Sequence, residues 1–97
     1  MLTKVAVTLS PVLGTTAPEV RVSVPRKLVR HELWETKRIE LEFDEPQGWL
    51  AVAFGNKPAQ DLDMAVIIDK VEFFGISDPK FAWAGLSTVS GTAHFRG

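Results

Sequence analysis

Alternation of apolar and polar residues with period two, broken repeatedly by proline- and glycine-bearing turns, constrains this chain more than any other feature. Val20, Val22 and Val24 fall on one side of an extended segment, with Glu19, Arg21 and Ser23 on the other. Ile39, Leu41 and Phe43 alternate with Arg38, Glu40, Glu42 and Asp44. Leu50, Val52 and Phe54 alternate with Ala51 and Ala53, and Val71 and Phe73 with Lys70 and Glu72. Successive strand side chains point to opposite faces, so such runs suit half-buried strands and not helices. Met64 to Ile68 is apolar at every position, which predicts a central strand covered on both faces.

Turn chemistry separates the runs. Pro11 to Pro18 contains Gly14, Pro25 follows the second run directly, and Ser77-Asp78-Pro79 closes the long apolar run. Glu45-Pro46-Gln47-Gly48 lies between two clear strands and reads as a hairpin loop. Arg26 to Lys37 is the one stretch that a helix could claim. Its Val, His, Trp and Thr content suits two short strands or a bulged strand equally well. Asp69 interrupts an apolar run, and a carboxylate there needs partners. A β-bulge or bend, with backbone amides, Lys70 or an arginine as partner, accommodates it. Phe81, Trp83 and Leu86 either cap one end of the core or form an exposed aromatic surface.

The expected fold is all-β: an antiparallel β-sandwich, jelly-roll-like, with seven or eight strands, forming one domain over residues 1–97. The tail, 86–97, is either a final strand or a loose extension. Hydrophobic residues make up 45% and charged residues 24%, a composition that supports a packed core. Net charge is −1, from 11 basic and 12 acidic residues. That balance lacks the basic excess a nucleic-acid partner requires. No apolar run approaches the ~20 residues of a membrane helix, so no membrane partner is expected. The alternating start, Met1 to Leu9, reads as a first strand and not as a signal peptide. Localisation stays open between a virion and an extracellular module.

No catalytic motif emerges, and the chain is not expected to be an enzyme. Without cysteine there is no disulfide, thiolate metal site or thiol nucleophile. His31 and His94 lack any ligand spacing, and no Gly-X-Ser-X-Gly turn presents a serine. Glu40 and Glu42 share one strand face, where a carboxylate pair could serve glycoside hydrolysis, but a solvated face with Arg38 paired to Glu40 is the simpler reading.

The segment Leu50 to Gly75 carries a further signal. It reads Val52-Ala53-Phe54, then Asn56, then Asp61 and Asp63 two residues apart, then Met64-Ala65-Val66, Ile68-Asp69 and Val71-Glu72-Phe73-Phe74-Gly75. In this order and spacing it resembles the small calcium-dependent xylan-binding modules of plant-cell-wall hydrolases. The resemblance implies a jelly-roll sandwich that binds a polysaccharide or other glycan without catalysis. It points to Asn56, Asp61 and Asp63 as ligand-binding residues, with Asp61 and Asp63 as calcium ligands. Paired carboxylates supply the oxygen donors that calcium takes. The chain departs from the family where Lys57 stands in place of a carboxylate, since an ammonium there repels a cation. Met64-Ala65 replaces the family's Arg-Asn pair. Lys57 paired with Asp61 or Asp63 would order the loop without metal. Trp34, Trp49 and Trp83 are candidates for stacking on sugar, and Trp49, at a strand start after Gly48, is the best placed. The alternative is a structural or assembly module of a virus particle, such as a phage decoration or tail protein, with protein neighbours as partners.

Overall fold

The computed structural model describes residues 3–14, 16–44, 48–54, 64–74, 79–89 and 91–96. Among them there are eight strands and no helix: β1 (Thr3–Val12), β2 (Glu19–Val24), β3 (Lys27–Glu32), β4 (Lys37–Phe43), β5 (Trp49–Phe54), β6 (Ala65–Phe74), β7 (Pro79–Val89) and β8 (Thr92–Arg96). They form two four-stranded antiparallel sheets, ordered β4-β1-β6-β7 and β3-β2-β5-β8. The Arg26 to Lys37 stretch is not helical: it holds β3, which folds back on β2, then a bent connection at 33–36 and the start of β4. Pro25 fixes φ at the first central turn position and Arg26 takes a φ of 65° at the second, the pattern of a type II turn.

Buried residues from both sheets join in one hydrophobic cluster. Val5, Val7 and Leu9 of β1, Ile39, Leu41 and Phe43 of β4, and Val66, Ile68, Val71 and Phe73 of β6 come from the first sheet. Val20, Val22, Val24, Leu50 and Val52 come from the second. These are the alternating apolar positions of the sequence, which is why the period-two pattern locates them. Phe81 and Trp83 pack against the cluster, as core caps. Phe81 meets Phe73 edge-on at 5.7 Å, and Trp83 meets Phe95 of β8 at 5.3 Å, joining the β7 and β8 edges.

Two expectations are corrected. The 45–48 segment does not close a hairpin, because β4 lies in the first sheet and β5 in the second. Alternation says which side of a strand is apolar but not which strand lies beside it, and a crossover buries both apolar sides as well as a hairpin does. Met64 to Ile68 is central but not covered twice. Met64, Val66 and Ile68 are buried, whereas Ala65 and Ile67, on the other side, are only half-buried.

Asp69 is the bulge residue. Leu9 pairs with Ile68 and Thr8 with Lys70, so β6 holds one residue more than β1 at this point. The ladder to β7 also shifts between Ile68 and Lys70. The extra residue changes the phase of β6, from inward Val66 and Ile68 to inward Val71 and Phe73. The partner of Asp69 is Ser10, whose hydroxyl donates to Oδ2 at 2.5 Å; it is neither Lys70 nor an arginine.

Candidate functional site

The two outer faces differ in how they handle charge. On the first sheet, register places Arg38, Thr8, Lys70 and Ala84 in one row and Glu40, Ala6, Glu72 and Ala82 in the next. Positive and negative rows interlock. Lys4 reaches Glu40 at 3.3 Å, Lys70 reaches Glu72 at 3.5 Å, and Arg38 bonds Glu40 and lies 3.9 Å from Glu72. The Lys4 hydrogen bond holds the Glu40 carboxyl below its ordinary range; lost hydration opposes this, and the charges of Lys4 and Arg38 add to it. Glu40 is therefore part of a self-neutralised surface, matching the simpler reading of the carboxylate pair.

The second sheet is built otherwise. Its outward positions run Glu19, Arg21 and Ser23 on β2, Leu28, Arg30 and Glu32 on β3, Trp49, Ala51 and Ala53 on β5, and Thr92, His94 and Arg96 on β8. Cross-strand register makes one row of Arg30, Arg21, Ala53 and Thr92, and the next of Leu28, Ser23, Ala51 and His94. Trp49 stands opposite Arg96 at the end. Small residues thus floor the middle, with Trp49, the arginines and Leu28 around it. Trp49 is 36% exposed and Leu28 also faces solvent, while Ala51 between its larger neighbours is only 6% exposed. No ion pair joins Arg21, Arg30 or Arg96 to a carboxylate among the described residues. The Nε of Arg21 is buried and has no hydrogen-bond partner among them, so the stem of this side chain lies down on the sheet.

Of the residues singled out in the sequence, Trp49 falls on this face. Asn56, Lys57, Asp61 and Asp63 lie outside the described residues. Phe54, the last described residue before them, stands about 17 Å along β5 from Trp49 at strand rise. Trp83 is half-buried against the core, and Trp34 is 62% exposed in the β3–β4 connection. Among the described residues no group of three or more His, Asp or Glu converges to hold a metal ion. A cleft of about 350 Å³ opens elsewhere, lined by Pro25, Arg26, Lys27, Glu42, Phe43 and Asp44.

Sequence reasoning missed Arg21, Arg30 and Arg96 as a group. Each is legible as an outward strand residue, but only the order β3-β2-β5-β8 puts them on the face that carries Trp49, with Arg96 beside it and Arg21 and Arg30 toward the other end. Comparison with family models, with characterised proteins and with solved structures finds no match for this chain.

Proposed function

We propose that this chain is a non-catalytic carbohydrate-binding module on a jelly-roll-like β-sandwich, with the outer face of the second sheet as its ligand platform. The observation that carries the reading is Trp49, which presents an exposed indole beside Ala51 and opposite Arg96. An indole offers a flat apolar surface to the C–H face of a sugar ring, and flanking guanidinium groups donate hydrogen bonds to its oxygens. Covering the exposed 36% of Trp49 removes roughly 90 Å² from water, worth about 2 kcal/mol. The jelly-roll description is supported by the connections: β1–β2, β3–β4, β4–β5, β5–β6 and β7–β8 all pass between the sheets. Asn56, Asp61 and Asp63 are proposed as further ligand contacts, with calcium on Asp61 and Asp63 unless Lys57 occupies its place.

Affinity electrophoresis through gels containing different polysaccharides tests the platform, with and without chelator. Retardation by at least one polymer, lost in Trp49→Ala, is the expected result; retardation that survives Trp49→Ala refutes the platform. Sensitivity to chelator supports the calcium region, and insensitivity removes it. A second reading, the assembly module, has one observation in its favour. The eleven-residue edge strand β7 carries a single charge, Lys80, and so offers a strand edge to a neighbour. Light scattering that finds a stable oligomer favours that reading.

A further inference from the structure

The charge on the second sheet specifies the kind of glycan. Arg21 and Arg30 are directly opposite each other on β2 and β3, and like charges in that position repel. The first sheet shows that this fold can place carboxylates against its cations, since Lys4, Arg38 and Lys70 all meet Glu40 or Glu72. On the second sheet Glu19 and Glu32 form the adjoining row, and no ion pair to Arg21 or Arg30 is found among the described residues. The Arg21–Arg30 pair and Arg96 lie toward opposite ends of a floor made by Ser23, Ala51 and Ala53. Trp49 to Ala53 spans about 13 Å of strand. A ring stacked on Trp49 has Arg96 beside it, and a chain running on over Ala51 reaches Arg21 and Arg30.

We propose that the platform takes an acidic polysaccharide, a polyuronate whose carboxylates are gripped by Arg96 at one end and by Arg21 and Arg30 at the other. This rests on the reading of the face as a glycan platform. Guanidinium groups bind carboxylates through two parallel N–H donors, and such charge-assisted bonds are about twice as strong as neutral ones. A uronic acid chain bears one carboxylate per sugar and leaves the ring faces free to stack. Nucleic acid is a poorer fit, because Glu19 and Glu32 close the basic stripe at one end and the net charge is −1.

The experiment is titration calorimetry of the full chain with polygalacturonate oligomers, the same oligomers after reduction of their carboxyls, and single-stranded DNA of matched charge. Tight binding to the acid form, weakened about tenfold or more by carboxyl reduction, is expected. The Arg21→Ala/Arg30→Ala pair should weaken binding to the acid form about as much. Arg21→Lys/Arg30→Lys keeps the charge and loses the fork, so it should recover only part of the affinity while guarding against misfolding. Arg38→Ala, on the other sheet, should change nothing. Equal binding of acid and reduced forms overturns the acidic specificity but leaves the glycan platform standing. Binding of neither form, with no other polysaccharide bound, overturns both. DNA bound as tightly as polygalacturonate, or an Arg38→Ala loss equal to that of the arginine pair, marks unspecific attraction and overturns the proposal.

Discussion

Replacing Ser10 by alanine should cost far more than a single hydroxyl on a strand usually does. Ser10 has one hydroxyl proton, and it goes to Asp69 Oδ2 at 2.5 Å. The 2.9 Å contact between Ser10 Oγ and Thr36 Oγ1 must then run the other way, with Thr36 donating. Thr36 to Ser10 to Asp69 is thus a directed chain linking the β3–β4 connection, β1 and the β6 bulge. Ser10→Ala removes both bonds and leaves a half-buried carboxylate short of a donor. A hydrogen bond to a charged group contributes about 1.5–3 kcal/mol and an exposed neutral one about 0.5. Taking the low end for the half-buried acid gives a loss of about 2 kcal/mol. Against the ~5–15 kcal/mol stability of a domain, that is a fall of about 10 °C in Tm. Urea denaturation should show a lower midpoint with an unchanged slope. In a double-mutant cycle with Asp69→Ala, the double variant should be more stable than the sum of the single losses allows, by about 1 kcal/mol or more, because the alanine pair leaves no polar group stranded. A Ser10→Ala loss below about 0.5 kcal/mol, or additive single losses, would refute the view that this chain holds the bulge in place.

Three other substitutions probe separate features. Glu40→Gln should flatten the acid limb of stability: with its folded pKa below 4.5, Glu40 contributes above that value and loses the contribution as pH falls through the folded pKa, so denaturation midpoints between about pH 6 and pH 3 should diverge less in the variant, and high salt should shrink the difference. Gly48→Ala would set a methyl 2.9 Å from Cζ of the buried Phe43 ring and 3.5 Å from Phe73 Cδ1; a loss of about 1–2 kcal/mol in thermal or urea unfolding is expected, and a neutral result would mean that the ring has room to move. Arg26→Gly relieves a positive φ of 65° at the β2–β3 turn and should stabilise by about 0.5–1 kcal/mol, whereas a lower midpoint would show that the contacts of the Arg26 side chain outweigh the backbone gain.

What could be read in advance was local. The inward and outward sides of β2, β4 and β5 follow from alternation alone, and the bulge at Asp69 follows from a carboxylate set in an apolar run. Pairing was not legible, because apolar alternation is the same whether the next strand joins the same sheet or the facing one; the 45–48 connection is the case in point. Nor was the partner of Asp69. Ser10 lies 59 residues away and carries no mark that distinguishes it from other serines. The proposed platform is half legible: Trp49 stands out from its place at a strand start, but Arg21, Arg30 and Arg96 come from three other strands and share its face only through the strand order.

The contrast between the two outer faces yields a last prediction that separates folding from binding. On the first sheet, cations and carboxylates alternate row by row, so folding stability by itself accounts for the arrangement. On the second, Arg30 opposes Arg21, with Glu32 two residues along its own strand. Repulsion across the strands and attraction along β3 nearly cancel for exposed groups in water. Arg30→Thr should accordingly leave stability within about 0.5 kcal/mol of the parent, helped by the strand preference of threonine. The same change removes one of the three guanidinium groups around the platform, so affinity for the acidic glycan should fall about tenfold. Measured side by side, an unmoved urea midpoint with weakened binding identifies Arg30 as a residue kept for its ligand. A loss of more than 1 kcal/mol in stability would instead show that contacts within the folded chain hold Arg30, and the face would no longer be open to an acid.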